Sequence, residues 1–240
     1  MTPGRPQPID ARATVVSAFL AAVAVLNVVR VWAISTEASI LRAVRDGRPF
    51  SLSEARASDD RLSALAGWYL LLFLGTAIAW CVWQHRGHAN LRALGRSGLV
   101  FTPGWAVGWW FVPIAWLWKP FQAVRELWKA SDPASDPVSW RLVRTWSVLG
   151  WWWACWLIAN VVTASGTGQR GTDLESTISG DTVVMVGLSL QVVAAVLAIV
   201  IVRQVVARQT ALELTGAGTP APPPIAPPPP PMPPMPLPGA

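Results

Sequence analysis

Residues 99–118 read LVFTPGWAVGWWFVPIAWLW, a stretch without a charge, and whether it crosses a bilayer sets the parity of the whole chain. It has the length of a span, since about 20 apolar residues in helical form match a hydrocarbon core. Its flanks argue otherwise. Arg92 and Arg96 precede it and Lys119, Arg125 and Lys129 follow it, and basic residues are retained on the cytoplasmic side, so both ends are expected there. Pro103, Gly104, Gly108 and Pro113 interrupt it, and Trp105, Trp109, Trp110, Trp116 and Trp118 spread along it instead of gathering in two end belts. Proline removes a backbone donor and kinks a helix, and non-helical backbone at membrane depth persists only when buried in protein or lining a wet cavity. A re-entrant or interfacial segment is therefore expected in preference to a fifth span, which would place the amino terminus outside.

Four other apolar runs surround it: Ala13 to Ile34, Leu62 to Trp83, Thr145 to Ala164 and Thr182 to Val202. Arg5 and Arg12 precede the first run. The second is entered past Asp59, Asp60 and Arg61 and left through Arg86, Arg92 and Arg96. Arg141 and Arg144 precede the third, and Arg203 and Arg208 close the fourth. All four orientations agree on both termini in the cytoplasm. The first run is longer than the apolar core of a signal peptide and is read as an uncleaved anchor.

Over half the residues are apolar and they are gathered into these runs, which leaves no room for a separate soluble enzyme. The net charge of +6 clusters beside the runs, where an anionic leaflet attracts cations, so nucleic acid is not an expected partner. Cys81 and Cys155 each lie within a run and read as small packing residues, not as a disulfide framework. Arginine outnumbers lysine, and alanine, glycine and proline abound, as in proteins from high-GC bacterial genomes. The expected location is a bacterial inner or plasma membrane.

The connections have their own patterns. Ser35 to Arg61 reads as an outside loop of short helical pieces that lids the bundle, broken at Gly47 and Pro49, with Ser51 or Ser53 capping the second piece. Pro120 to Ala130 (PFQAVRELWKA) reads as an amphipathic helix with Phe121, Val124 and Trp128 on one face and Arg125 and Lys129 one turn apart, suited to the headgroup plane. The start of the third run gathers Trp140, Trp146, Trp151, Trp152, Trp153 and Trp156, so with Trp80 and Trp83 most indoles fall in one leaflet, packed around residues 105–118. The resulting layout is a short tail at 1–12, a membrane domain at 13–210 and a disordered tail at 211–240, proline-rich from Gly216, with P-x-x-P spacings open to a cytoplasmic protein. The fold class is all-α integral membrane: a four-helix transmembrane bundle, the tryptophan-rich segment and an amphipathic surface helix.

No H-E-x-x-H, G-x-S-x-G, P-loop or dinucleotide fingerprint occurs, and no catalytic residue, cofactor or metal is expected. His85 and His88 read as a solvated interfacial pair. Asn27, Asn160, Thr163, Ser189 and Gln191 read as hydrogen-bonding glue between helices, and Arg30, near the outer end, as a snorkelling cation. The candidate functional surface is Trp105, Trp109, Trp110, Trp116, Trp118, Lys119, Arg125, Trp128 and Lys129. Within it, Lys119, Arg125 and Lys129 form a cationic trio suited to membrane lipids, anionic ones included.

The stretches CVWQHRGHANLRALG (81–95), GWAVGWWFVPIAWLWKPFQAVRELWKAS (104–131) and GWWWACWLIAN (150–160) resemble bacterial membrane proteins carrying the domain of unknown function 4328, over roughly Leu62 to Arg203. The resemblance implies a multi-span membrane protein and brings no activity, ligand or catalytic residue. The expected function is a non-enzymatic scaffold that uses its inner tryptophan and basic surface for lipids or partner proteins. The alternative is a small transporter or channel lined by residues 99–118.

Overall fold

The computed structural model describes residues 6–49, 51–171 and 173–215. Among these residues the chain is all-helical, in the order α1 (Asp10–Arg45), α2 (Leu52–Ala93), α3 (Pro103–Gly108), α4 (Lys119–Ala130), α5 (Ser147–Gln169) and α6 (Leu174–Leu214). The helices α1, α2, α5 and α6 are long and apolar enough to cross a membrane. At 1.5 Å per residue α1, α2 and α6 extend for about 54, 63 and 62 Å, well beyond a hydrocarbon core of about 30 Å.

Each apolar run is thus the middle of a longer helix. This corrects the expected lid at 35–61: its pieces are continuous with α1 and α2, and only residues 46–51 connect them. Gly47 takes the positive φ (67°) that lets the chain turn after α1. Ser51 then caps α2 by accepting the Glu54 amide at 3.4 Å. Helix α6 likewise runs to Leu214, past the boundary placed at 210. The proline-rich stretch from Gly216 lies outside the described residues.

Helix α6 lies between α5 and α1, and α2 flanks α1. Glycines let α5 and α6 touch backbone to backbone. A Cβ on Gly166 would stand 2.8 Å from the Gly180 carbonyl oxygen, and one on Gly187 would stand 2.9 Å from the Thr163 amide. Asn27, fully buried on α1, donates to the Gln191 side-chain oxygen on α6 at 3.1 Å. By contrast, the middle of α2 is nearly bare, presenting Trp68, Leu71, Phe73, Leu74 and Ile78 outward, the apolar surface expected of a lipid-facing helix. Large rings bridge α2 to α5: Trp80 stacks on Trp152 with centroids 5.5 Å apart.

Candidate functional site

The candidate surface forms where the carboxyl end of α2 meets α3, α4, the start of α5 and the end of α6. Gln84 organises it. Its buried side-chain oxygen accepts the indole N–H groups of Trp80 and Trp110, each at 2.9 Å, and its amide nitrogen donates to the Ala106 carbonyl at 3.1 Å. The oxygen thereby uses both its lone pairs. Trp110 sits edge-on to Trp80, Trp153 and Trp156, and Trp116 edge-on to Trp156, so the indoles gather around residues 105–118. Trp153 donates its indole N–H to the Leu117 carbonyl at 3.0 Å.

A second anchor holds the start of the segment. Glu126, buried on α4, accepts the Val100 amide at 2.7 Å and the Phe101 amide at 3.0 Å, while Arg92 donates to the Phe101 carbonyl at 3.0 Å. Burial raises the Glu126 carboxyl above its ordinary range, and the two amide bonds oppose that shift by stabilising the anion. Thr102 then caps α3 by accepting the Trp105 amide at 3.2 Å, with Pro103 in the first turn, where its missing donor costs nothing.

The two ends of the segment meet. Lys119 at the start of α4 places its ammonium 6.0 Å from the Phe101 ring and 5.4 Å from the Trp109 ring. Between them the backbone turns sharply at Pro113–Ile114–Ala115, where Ile114 has φ 66° and ψ −50° and the Ala115 amide donates to the Pro113 carbonyl at 2.7 Å. This is the strained hand of the γ-turn, rare for a β-branched residue. The exposed rim carries Trp105, Phe111, Ile114 and Trp118.

The cationic trio is divided. Lys119 faces the Phe101 and Trp109 rings, exposed Arg125 covers Phe121 at 5.6 Å, and Lys129 donates to the Arg141 carbonyl at 2.6 Å. Trp128 is buried, stacked on Trp146 and covered by the Arg208 guanidinium 3.6 Å from its ring centroid. Arg208 also donates to the Trp128 carbonyl at 3.3 Å and approaches Asp132 at 3.5 Å.

Other polar groups complete the base. Arg96, buried, donates to the carbonyls of Asp132, Ser135 and Asp136 at 2.6 to 2.7 Å and so fixes the connection after α4. Gln209 joins three elements, donating to the Gly87 carbonyl at 3.1 Å and the Ser131 hydroxyl at 3.2 Å and accepting from Asn90 at 3.4 Å. The histidines do not act together, which corrects the expected solvated pair: His85 is exposed, but His88 is fully buried with Nδ1 3.0 Å from the Gln84 carbonyl.

The opposite end of the bundle holds a cluster that composition concealed. Arg170, after α5, contacts Glu37 of α1 at 2.5 Å and the fully buried Asp181 of α6 at 2.8 Å. Nearby Arg30 lies 4.4 Å over the Tyr69 ring and donates to Asn27 at 3.3 Å. The three members of the cluster come from distant parts of the chain, so no local spacing announces it.

No curated protein and no solved structure matches the chain. A family model does, over residues 46–207, which takes in α2 through most of α6 and with them every residue of the candidate surface. The chain belongs to the family described as Domain of unknown function (DUF4328).

Proposed function

We propose that this is a multi-span protein of the bacterial cell membrane, both termini cytoplasmic, that serves as a non-enzymatic scaffold. Residues 99–118 enter and leave through the inner leaflet as a re-entrant or interfacial segment. Their rim, with the neighbouring cations, receives membrane lipids or a partner protein, and the proline-rich tail recruits a cytoplasmic protein. The observation that carries this reading is the meeting of Lys119 with Phe101 and Trp109, which returns the segment to the end of the bundle where it began. Basic residues flank that end on α2, α4 and α6 and in the connection just before α5, as the positive-inside rule requires of a cytoplasmic face.

The test is side-specific labelling of single cysteines with an impermeant maleimide in sealed cells and inverted vesicles. Ser97→Cys and Ala134→Cys are suitable because both positions are exposed, whereas Ser131 is fully buried. Both should label from the cytoplasmic side only. Labelling from opposite sides would overturn the scaffold, since the segment would then cross.

The second reading, a small transporter or channel lined by residues 99–118, gains an ionisable group at the opposite end of the bundle from fully buried Asp181, held by partly exposed Arg170 beside Glu37, because buried ionisable residues commonly mark solute or proton paths. Ion or solute flux in proteoliposomes that Asp181→Asn abolishes supports it, and a leak-free bilayer counts against it.

A further inference from the structure

A cavity of about 500 Å³ opens between α4, the start of α5 and α6, walled by Trp128, Trp146, Arg144, Arg208, Ser147 and Thr145. We propose that it is a binding site for a phosphoryl anion, presented either by an anionic lipid headgroup or as free phosphate. The inference rests on the scaffold reading for its cytoplasmic, lipid-facing setting, and it narrows that reading to one site and one ligand chemistry.

Three observations converge on the cavity. The first is charge: Arg144 is exposed and makes no hydrogen bond or ion pair among the described residues, and Arg208 supplies a second guanidinium. Asp132 approaches Arg208 at 3.5 Å, which leaves the charge of Arg144 uncompensated. Guanidinium groups suit phosphate oxygens because they present paired donors in one plane.

The second observation is the uncapped start of α5. Its N-cap is Trp146, which has no side-chain acceptor to offer, so no side chain satisfies the first amides of a helix of 23 residues. Free amides and the helix dipole together favour an anion at this position.

The third is the hydroxyl pair: Ser147 and Thr145 line the same space, and no side-chain hydrogen bond among the described residues engages either of them. The stacked Trp128 and Trp146 rings, 5.9 Å apart, give the cavity an amphipathic wall of the kind found at headgroup depth.

The experiment uses the full-length protein in uncharged detergent, with binding of phosphatidylglycerol, phosphate-free diacylglycerol and inorganic phosphate read by native mass spectrometry and thermal shift. Phosphatidylglycerol should bind and diacylglycerol should not. Arg144→Gln should weaken phosphatidylglycerol by about tenfold, the loss expected for one charge-assisted hydrogen bond. Ser147→Asp should weaken it at least as much while preserving or raising thermal stability, because a carboxylate in the first turn favours the helix even as it repels the ligand. Stabilisation by inorganic phosphate that Ser147→Asp abolishes identifies the free anion as a ligand, and its absence alongside phosphatidylglycerol binding identifies the lipid. Equal binding by wild type and both variants overturns the site. If Lys119→Gln and Arg125→Gln weaken phosphatidylglycerol and the cavity variants do not, this site falls while the broader lipid surface stands.

Discussion

Trp110 donates its indole N–H to Gln84, which lies 26 positions earlier, and the same oxygen accepts Trp80. One amide therefore ties the tryptophan-rich segment to α2 and fixes the indole cluster around it. Replacing Gln84 with leucine strands two indole donors and the Ala106 carbonyl, at about 1 to 3 kcal/mol for each buried group left unpaired. Gln84→Leu should lose about 3 kcal/mol in equilibrium unfolding in detergent, and Trp110→Phe, which still leaves Trp80 bonded, clearly less. Equal losses would show that ring packing, not the amide, anchors the segment.

Glu126 should make the stability of this region depend on pH. Burial raises its folded pKa above the ordinary 4.5, so the folded state holds the proton more firmly than the unfolded chain does. Its contribution is then greatest below 4.5 and is lost as pH rises through the folded pKa. Glu126→Gln removes this titration and turns an amide N–H toward a backbone N–H, costing about 1 to 2 kcal/mol. The stability of wild type relative to Glu126→Gln should decline from acid toward neutral pH. A difference that grows with pH contradicts the assignment.

The Arg170 cluster should show strong coupling. Arg170→Met leaves fully buried Asp181 without its cation, and removing one partner of a buried pair costs about 3 kcal/mol or more. Asp181→Asn should cost less, because Arg170 keeps Glu37. The double variant should recover about 1 kcal/mol or more relative to the sum of the singles. Additive losses would show that the charges do not interact.

Gly187→Ala should separate α5 from α6, because its new methyl meets the Thr163 backbone, which cannot swing aside as a side chain can. Overpacking of this kind costs about 1 to 3 kcal/mol. Gly150→Ala has open space around its Cβ and serves as the control, with unchanged or slightly raised helix stability. Thermal unfolding by circular dichroism compares the two.

Ile114→Gly should stabilise the protein. Glycine adopts the positive φ of position 114 without the clash a β-branched residue suffers, which relieves about 1 kcal/mol of strain. A lower midpoint in the same measurement would mean that the exposed isoleucine side chain contributes more than the strain it imposes.

Much of the fold was legible because its signals are local. Four apolar runs gave the four long helices, Ser51 or Ser53 was the expected cap of α2 and Ser51 is the one that caps it, and Gly108 and Pro113 marked where residues 99–118 leave helical geometry, whereas Pro103 opens α3. The extent of the helices was hidden, since residues such as Glu37, Arg42 and Gln84 to Ala93 are polar enough to read as loop yet gain helix from packing and caps at their far ends. The basis of the site was hidden for another reason. A glutamine beside Trp83 and a glutamate within an amphipathic helix look like solvated residues until the chain delivers indoles and backbone amides some 25 positions away. His88 was misjudged in the same way, because α4 buries it: Leu127 packs against the neighbouring Gly87.

The bond between Asn27 and Gln191 spans 164 positions and joins the first long helix to the last. During synthesis α1 is made long before α6 exists, and until then the Asn27 carboxamide oxygen has Arg30 one turn away while the carboxamide N–H lacks its Gln191 acceptor. A chain truncated before α6 therefore lacks the acceptor that this amide finds in the folded bundle.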